Sequence, residues 1–211
     1  MNNSKSLEVG GKSPLLIFED ADIAKAVSSA TLSILPNSGQ TWMTTSRIYV
    51  QEGIAAQFIE TIKSAMIQQG GESDPSSPGV RRGRRPTSSS SNESSHTWTI
   101  PKIAACTSFS VAEELVQRGY FCESTIIVNA PENSRVMREE IFGPMLCINT
   151  FRNEDEGLKR VKDADYGLYA SVFTTYLSRS MRVAKELEAG AVGVNCTSPT
   201  MFIGMSMGGC K

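Results

Sequence analysis

The sequence holds one histidine, His96, and no Cys-x-x-Cys pair. Its five cysteines, Cys106, Cys122, Cys147, Cys196 and Cys210, are odd in number and lack metal-site spacing, so neither a zinc centre nor a disulfide framework is expected. Free thiols in a reducing compartment follow. Charge bias is missing too: the formal net charge is −1, which gives no global pull toward nucleic acid or an anionic membrane. No apolar run reaches the length of a bilayer crossing, and residues 1–6 are polar, so the chain reads as cytoplasmic without a span or secretory signal. Without such a signal, the Asn-x-Ser/Thr matches at Asn2, Asn92 and Asn195 carry little weight.

What is present fits a soluble globular protein. With 211 residues and 40% apolar content the chain can bury one large or two small cores. Residues 14–18 form an apolar run that predicts a buried strand. Asp20 or Asp22 then caps a helix whose Ile23, Ala26, Val27, Ala30 and Ile34 fall at helical spacing, and Pro36 and Gly39 end it. Ile48, Tyr49 and Val50 predict a second strand, followed by a helix with Ile54, Phe58, Ile62 and Met66 on one face. The alternation resumes later with strands within 119–128 and at 145–151, and a helix capped by Asn153 that runs to about residue 163. A strand at 169–173 follows, then a helix at 177–187 with Leu177, Met181, Ala184 and Leu187 inward, and a last strand at 191–195. The fold class is α/β, with helices packed on a mostly parallel sheet.

The pattern breaks from residue 68 to about residue 105. Gly70-Gly71, Pro75, Pro78-Gly79, the run Arg81-Arg82-Gly83-Arg84-Arg85-Pro86 and a serine tract leave no core-facing periodicity, so a disordered insert is expected. The four arginines could contact phosphate, but no aromatic residues are interleaved, and a solvated basic run is the favoured reading. The chain thus divides into 1–67 and 106–211, two parts of one domain, around an insert at 68–105.

Three segments carry chemistry. The first is Leu7-Glu8-Val9-Gly10-Gly11-Lys12-Ser13-Pro14, the second Asn37-Ser38-Gly39-Gln40-Thr41-Trp42-Met43-Thr44-Thr45-Ser46-Arg47, and the third Arg138-Glu139-Glu140-Ile141-Phe142-Gly143-Pro144. In this order and at this separation they resemble the aldehyde dehydrogenase superfamily. Tyr166-Gly167-Leu168, Leu187-Glu188-Ala189-Gly190, Val194-Asn195-Cys196 and Gly208-Gly209-Cys210-Lys211 extend the resemblance, which covers residues 5–67 and about 117–211.

The resemblance implies the catalytic domain of such an enzyme, an aldehyde substrate, and NAD or NADP as cofactor. It assigns Glu8 as general base, Glu140 to the nicotinamide ribose and Phe142 to the nicotinamide ring. It also places Cys196 near the substrate entrance, where a small packed residue is the plainer reading. The nucleophilic cysteine maps to Trp42. An indole has one N–H donor and no attacking atom, and its bulk is expected to fill the space an aldehyde carbon would take. Thr41 and Thr44 are hydroxyls with no histidine near in sequence to activate them. Read without the family, Glu8 is a surface glutamate near a terminus, and the third segment is a helix end with a Gly-Pro turn.

Typical members of that family are more than twice this length, and their dinucleotide-binding part and last strand have no counterpart in this sequence. No Gly-rich strand-turn-helix signature for pyrophosphate is present, and the insert is expected to record a frameshift or retained intron. Three readings follow. The chain is a family member inactive on its own; it is an interaction protein pairing with a full-length relative; or it carries altered, esterase-like chemistry using Glu8 and water. Neither nucleic acid, membrane nor metal is expected as a partner.

Overall fold

The computed structural model describes residues 10–69, 124–197 and 208–211, with the backbone of residues 107–110. The chain runs β1 (Ser13–Ile17), α1 (Ile23–Ile34), a 3-10 turn (Pro36–Gly39), β2 (Thr45–Gln51), α2 (Glu52–Gln69), β3 (Thr107–Ser110) and β4 (Thr125–Val128). It continues with α3 (Arg135–Arg138), β5 (Met145–Phe151), α4 (Glu154–Lys162), β6 (Tyr169–Phe173), α5 (Leu177–Glu186) and β7 (Ala191–Val194). The strands form one sheet in the order β3-β4-β5-β2-β1-β6-β7. Every pairing is parallel except β3 with β4. This is the α/β fold class read from the sequence.

Burial on both faces explains the apolar run at 14–17 in β1, a strand whose five residues are all buried. Alternation sends Leu15 and Ile17 to one side, where Ile48, Val50, Leu146 and Ile148 meet the inward stripes of α1 and α2. Leu16, Phe18, Tyr49 and Cys147 face the other side, against Val136 and Met137 of α3, Val161 of α4, Val183 of α5 and Leu187 just beyond it. Local signals set the helix ends. Asp22 Oδ1 accepts from Lys25 N–H at 3.0 Å and starts α1. Asn153 Oδ1 accepts from Glu156 N–H at 3.0 Å and starts α4. That helix carries acids in its first turn and bases in its last, which suits the helix dipole.

Two readings need revision. Helix α5 was expected to turn Leu177 and Met181 inward, yet these are 73% and 52% exposed, and Ser180 and Val183 are buried. Both stripes have helical spacing, so apolar count alone cannot fix the rotation. A distant anchor fixes it: Arg179 Nη1 donates to Asp20 Oδ1 at 2.6 Å while its guanidinium lies 4.6 Å from the Phe18 ring centre. Cys196, expected to pack as a small apolar residue, is exposed, because β7 is an edge strand and the chain leaves it there. In addition, β3 had no counterpart in the sequence reading. Of the expected insert, residues 68 and 69 close α2, and residues 70–105, the basic run included, lie outside the described residues.

Candidate active site

The three motif segments meet at the amino ends of β1, β2 and β5, because each precedes its strand directly. Gly11 lies before β1, Trp42 before β2 and Gly143-Pro144 before β5. Their backbones touch. A Cβ on Gly11 would stand 2.1 Å from the Trp42 carbonyl oxygen, and one on Gly39 would stand 2.3 Å from the Gly143 backbone. Gly39 also adopts φ +73°, where a side chain is strained. Glycine at 11 and 39 is therefore what lets the segments close together.

Trp42 sits in a tight turn closed by Thr44 N–H donating to the Thr41 carbonyl at 3.0 Å. Within it Met43 turns inward, onto Leu168 and Tyr169, and the indole turns out. The strand start behind the turn is pinned to α1: Thr45 N–H donates to Ser33 Oγ at 3.1 Å, and Thr44 Oγ1 to the Ser33 carbonyl at 3.3 Å. Trp42 is 42% exposed, and a cleft opens beside its turn. Gly11, Thr41, Thr44, Ser46, Glu140 and Phe142 are among the residues that line that cleft.

Glu140 and Phe142 follow α3. Their segment is tied down by Arg138, whose Nε donates to the Glu132 carbonyl at 2.9 Å and whose Nη2 reaches Asp163 Oδ2 at 2.6 Å. Glu132 in turn accepts from Tyr49 Oη at 2.8 Å and from Asn149 Nδ2 at 2.9 Å. Held this way, Glu140 Oε1 accepts from Gly11 N–H at 3.2 Å. Phe142 takes φ +52° and leaves its ring 41% exposed. Trp42, Glu140 and Phe142 thus belong to one neighbourhood. Glu8 lies outside the described residues, two positions before Gly10.

Two buried cations escaped the sequence reading. Lys12 is 1% exposed, and its Nζ has no hydrogen-bond partner among the described residues. Burial lowers its pKa to about 8, with the Arg47 charge acting in the same direction. Arg47 is equally buried, and donates from Nε to the Lys12 carbonyl at 3.0 Å and from Nη2 to the Val161 carbonyl at 3.2 Å. The available signal was positional. Each is a basic residue at the entry of a run that is otherwise apolar. Among the described residues no group of three or more His, Cys, Asp and Glu could hold a metal ion.

The family model described as the aldehyde dehydrogenase family matches residues 2–211. The chain is 38% identical, over 98% of its length, to chloroplastic betaine aldehyde dehydrogenase of Beta vulgaris, and covers 41% of that protein. It is 39% identical, over 98% of its length, to peroxisomal aminoaldehyde dehydrogenase 2 of Pisum sativum, again covering 41%. Betaine aldehyde dehydrogenase from Staphylococcus aureus, solved in complex with NAD+, matches 93% of this chain at TM-score 0.85 and 28% identity, and 39% of its own chain is covered. An indole-3-acetaldehyde dehydrogenase complexed with NAD+ matches 92% at TM-score 0.87 and 30% identity, with 40% of its chain covered. The chain therefore spans about two fifths of the length of the curated relatives it matches.

Proposed function

The chain belongs to the aldehyde dehydrogenase family, and from that premise we propose that it keeps the scaffold of an NAD(P)-dependent aldehyde oxidoreductase while lacking, at Trp42, the thiol that begins the reaction. The exposed indole at the turn before β2 carries this reading. Oxidation through a thioester needs a thiolate to attack the carbonyl carbon, and the indole supplies no such atom. Glu8 has the family role of activating water against the thioester, and with no thioester it has no partner in the reaction. Thr41 and Thr44 line the cleft, but Thr44 Oγ1 is already engaged with the Ser33 carbonyl, which speaks against an esterase reading through that hydroxyl.

The residues around the cleft suit a nicotinamide dinucleotide. Glu140 offers a carboxylate held by a backbone N–H, fit to accept from a ribose hydroxyl, and Phe142 offers an exposed ring face of the kind a planar heterocycle packs on. When bound, the cofactor supplies the hydride acceptor. Aldehydes bearing an amino or quaternary ammonium group are the first substrates to test, since the relatives are named for betaine aldehyde and aminoaldehydes. The cysteine pattern supports a reducing, cytoplasmic setting, and no helix of the described residues is long and apolar enough to cross a membrane. Pairing with a longer relative is a second reading, supported by the outward Tyr176 before α5 and the outward Leu177 and Met181 within it. Sedimentation of this chain mixed with such a relative tests it.

The deciding experiment follows reduced nicotinamide and ester hydrolysis with the purified protein and Trp42→Cys. The unmodified chain is expected to do neither, and Trp42→Cys to react covalently with an aldehyde or an activated ester. Formation of NADH or NADPH by the unmodified chain would overturn the proposal.

A further inference from the structure

The Glu140 carboxylate rests on the Gly10-Gly11 turn with both of its oxygens. Oε1 accepts from the Gly11 N–H at 3.2 Å. Gly10 adopts φ +86°, and a Cβ built on it would stand 2.5 Å from Glu140 Oε2 and 3.3 Å from Glu140 Cδ, so Oε2 fills the space a side chain would take. The Tyr166 ring edge borders the same point, with Cε1 at 3.6 Å. Only a residue without a side chain leaves room for the carboxylate and the ring together.

The turn, the carboxylate and the ring are mounted separately. Gly11 abuts the Trp42 carbonyl, which sets the turn against the segment before β2. Arg138, bonded to the Glu132 carbonyl and to Asp163, holds the chain just before Glu140. Beside Tyr166, Gly167 N–H donates to the Lys211 carbonyl at 3.1 Å, and the Gly167 carbonyl accepts from Gly190 N–H at 2.8 Å and Cys210 N–H at 3.0 Å. Glu140 lines the cleft beside Phe142, so whatever fixes its carboxylate fixes an acceptor in the cleft wall. A carboxylate has about four acceptor positions, and accepting from Gly11 is compatible with accepting from a ligand hydroxyl at the same time.

We propose that Gly10 and Gly11 are positioning residues for the nucleotide: their turn presents the Glu140 carboxylate to the ribose, and nucleotide binding tightens the turn in return. The inference rests on the reading above that Glu140 accepts from a ribose hydroxyl. An acceptor fixed before the ligand arrives spares the complex an ordering cost. The coupling is reciprocal, because a ligand that binds better to the seated carboxylate stabilises the seat by the same factor. The turn leads directly into β1, so the effect of the ribose contact reaches the entry of that strand.

Amide hydrogen exchange and NAD titration of the full chain test this. Without nucleotide, exchange at Gly11 is expected to be about tenfold faster in Glu140→Ala than in wild type, while Glu140→Gln, which keeps the acceptor oxygen, stays close to wild type. Saturating NAD is expected to slow the same exchange in the wild-type chain by about tenfold. In the titration, Gly10→Ala is expected to weaken NAD binding about tenfold, and to weaken it no further when Glu140→Ala is already present. Unchanged Gly11 exchange in Glu140→Ala, or in wild type on saturation with NAD, would overturn the proposal. Equal losses from Gly10→Ala in both backgrounds would also overturn it, since Gly10 would then act on the fold and not through Glu140. A wild-type chain that binds no NAD would instead strike the ribose reading itself and remove the coupling with it. The wild-type exchange, with and without NAD, decides the matter even if Gly10→Ala fails to fold.

Discussion

Substituting Asp20 by Asn is expected to cost about 2 kcal/mol near neutral pH, and the loss is expected to vanish in acid. Asp20 follows β1 and acts as a remote cap for α5. Its Oδ2 accepts from Thr174 Oγ1 at 2.7 Å, Thr175 N–H at 2.6 Å, Thr175 Oγ1 at 2.7 Å and Tyr176 N–H at 3.3 Å, while Oδ1 takes the Arg179 guanidinium at 2.6 Å. Partial burial alone would raise the pKa. The hydrogen bonds from Thr175 and Thr174, with Arg179, outweigh it and bring the pKa from 3.8 to about 2. A carboxylate with a depressed folded pKa contributes its stability above the unfolded value and loses it as pH falls through the folded one. Two pH units convert to between about 2 and 3 kcal/mol, taken here at the lower end because the site is partly wet. Urea unfolding of wild type and Asp20→Asn should therefore differ by about 2 kcal/mol near pH 6 and converge near pH 2. Other carboxylates with lowered pKa, such as Glu154 and Asp163, titrate in both proteins and cancel in the difference. A gap that is absent near pH 6, or one that persists unchanged in acid, would refute the reasoning.

Lys12 gives a slope of the same sign in an alkaline window. Its folded pKa of about 8 lies below the ordinary 10.5, so wild type should gain up to about 3 kcal/mol as pH rises from 8 toward 10.5, and Lys12→Met should lack that gain in pH-dependent denaturation. Gly11→Ala drives a methyl group onto the Trp42 carbonyl and should lower stability by about 1–3 kcal/mol, read from a thermal melt. Leu177→Ser should change stability by less than about 0.5 kcal/mol while Val183→Ala costs more than about 1, and the reverse order would show that the rotation of α5 is wrong.

Much of the fold was legible because its signals are local. The apolar run of β1, the Asp22 and Asn153 caps and the Pro36 and Gly39 terminators each act within a few residues. What escaped depends on distance along the chain. The rotation of α5 rests on Asp20, and no periodicity within the helix reports that. Glu140 and Phe142 could be named from their motif, but the Gly11 N–H that holds the carboxylate could not. The fold encloses Lys12 and Arg47, two basic residues whose burial no cap or turn signal announces. The cleft also lies at the amino ends of its strands, whereas the usual rule for open α/β sheets directs attention to the carboxyl ends.

The turn that displays Trp42 is fixed by atoms other than those of its side chain: the Gly11 approach to its carbonyl, the inward Met43, and the threonines bonded to Ser33. Reactivity and shape are thus encoded separately at this point. The loop can therefore hold its shape around a different side chain at position 42, so a substitution there changes what the turn displays without changing how it is built.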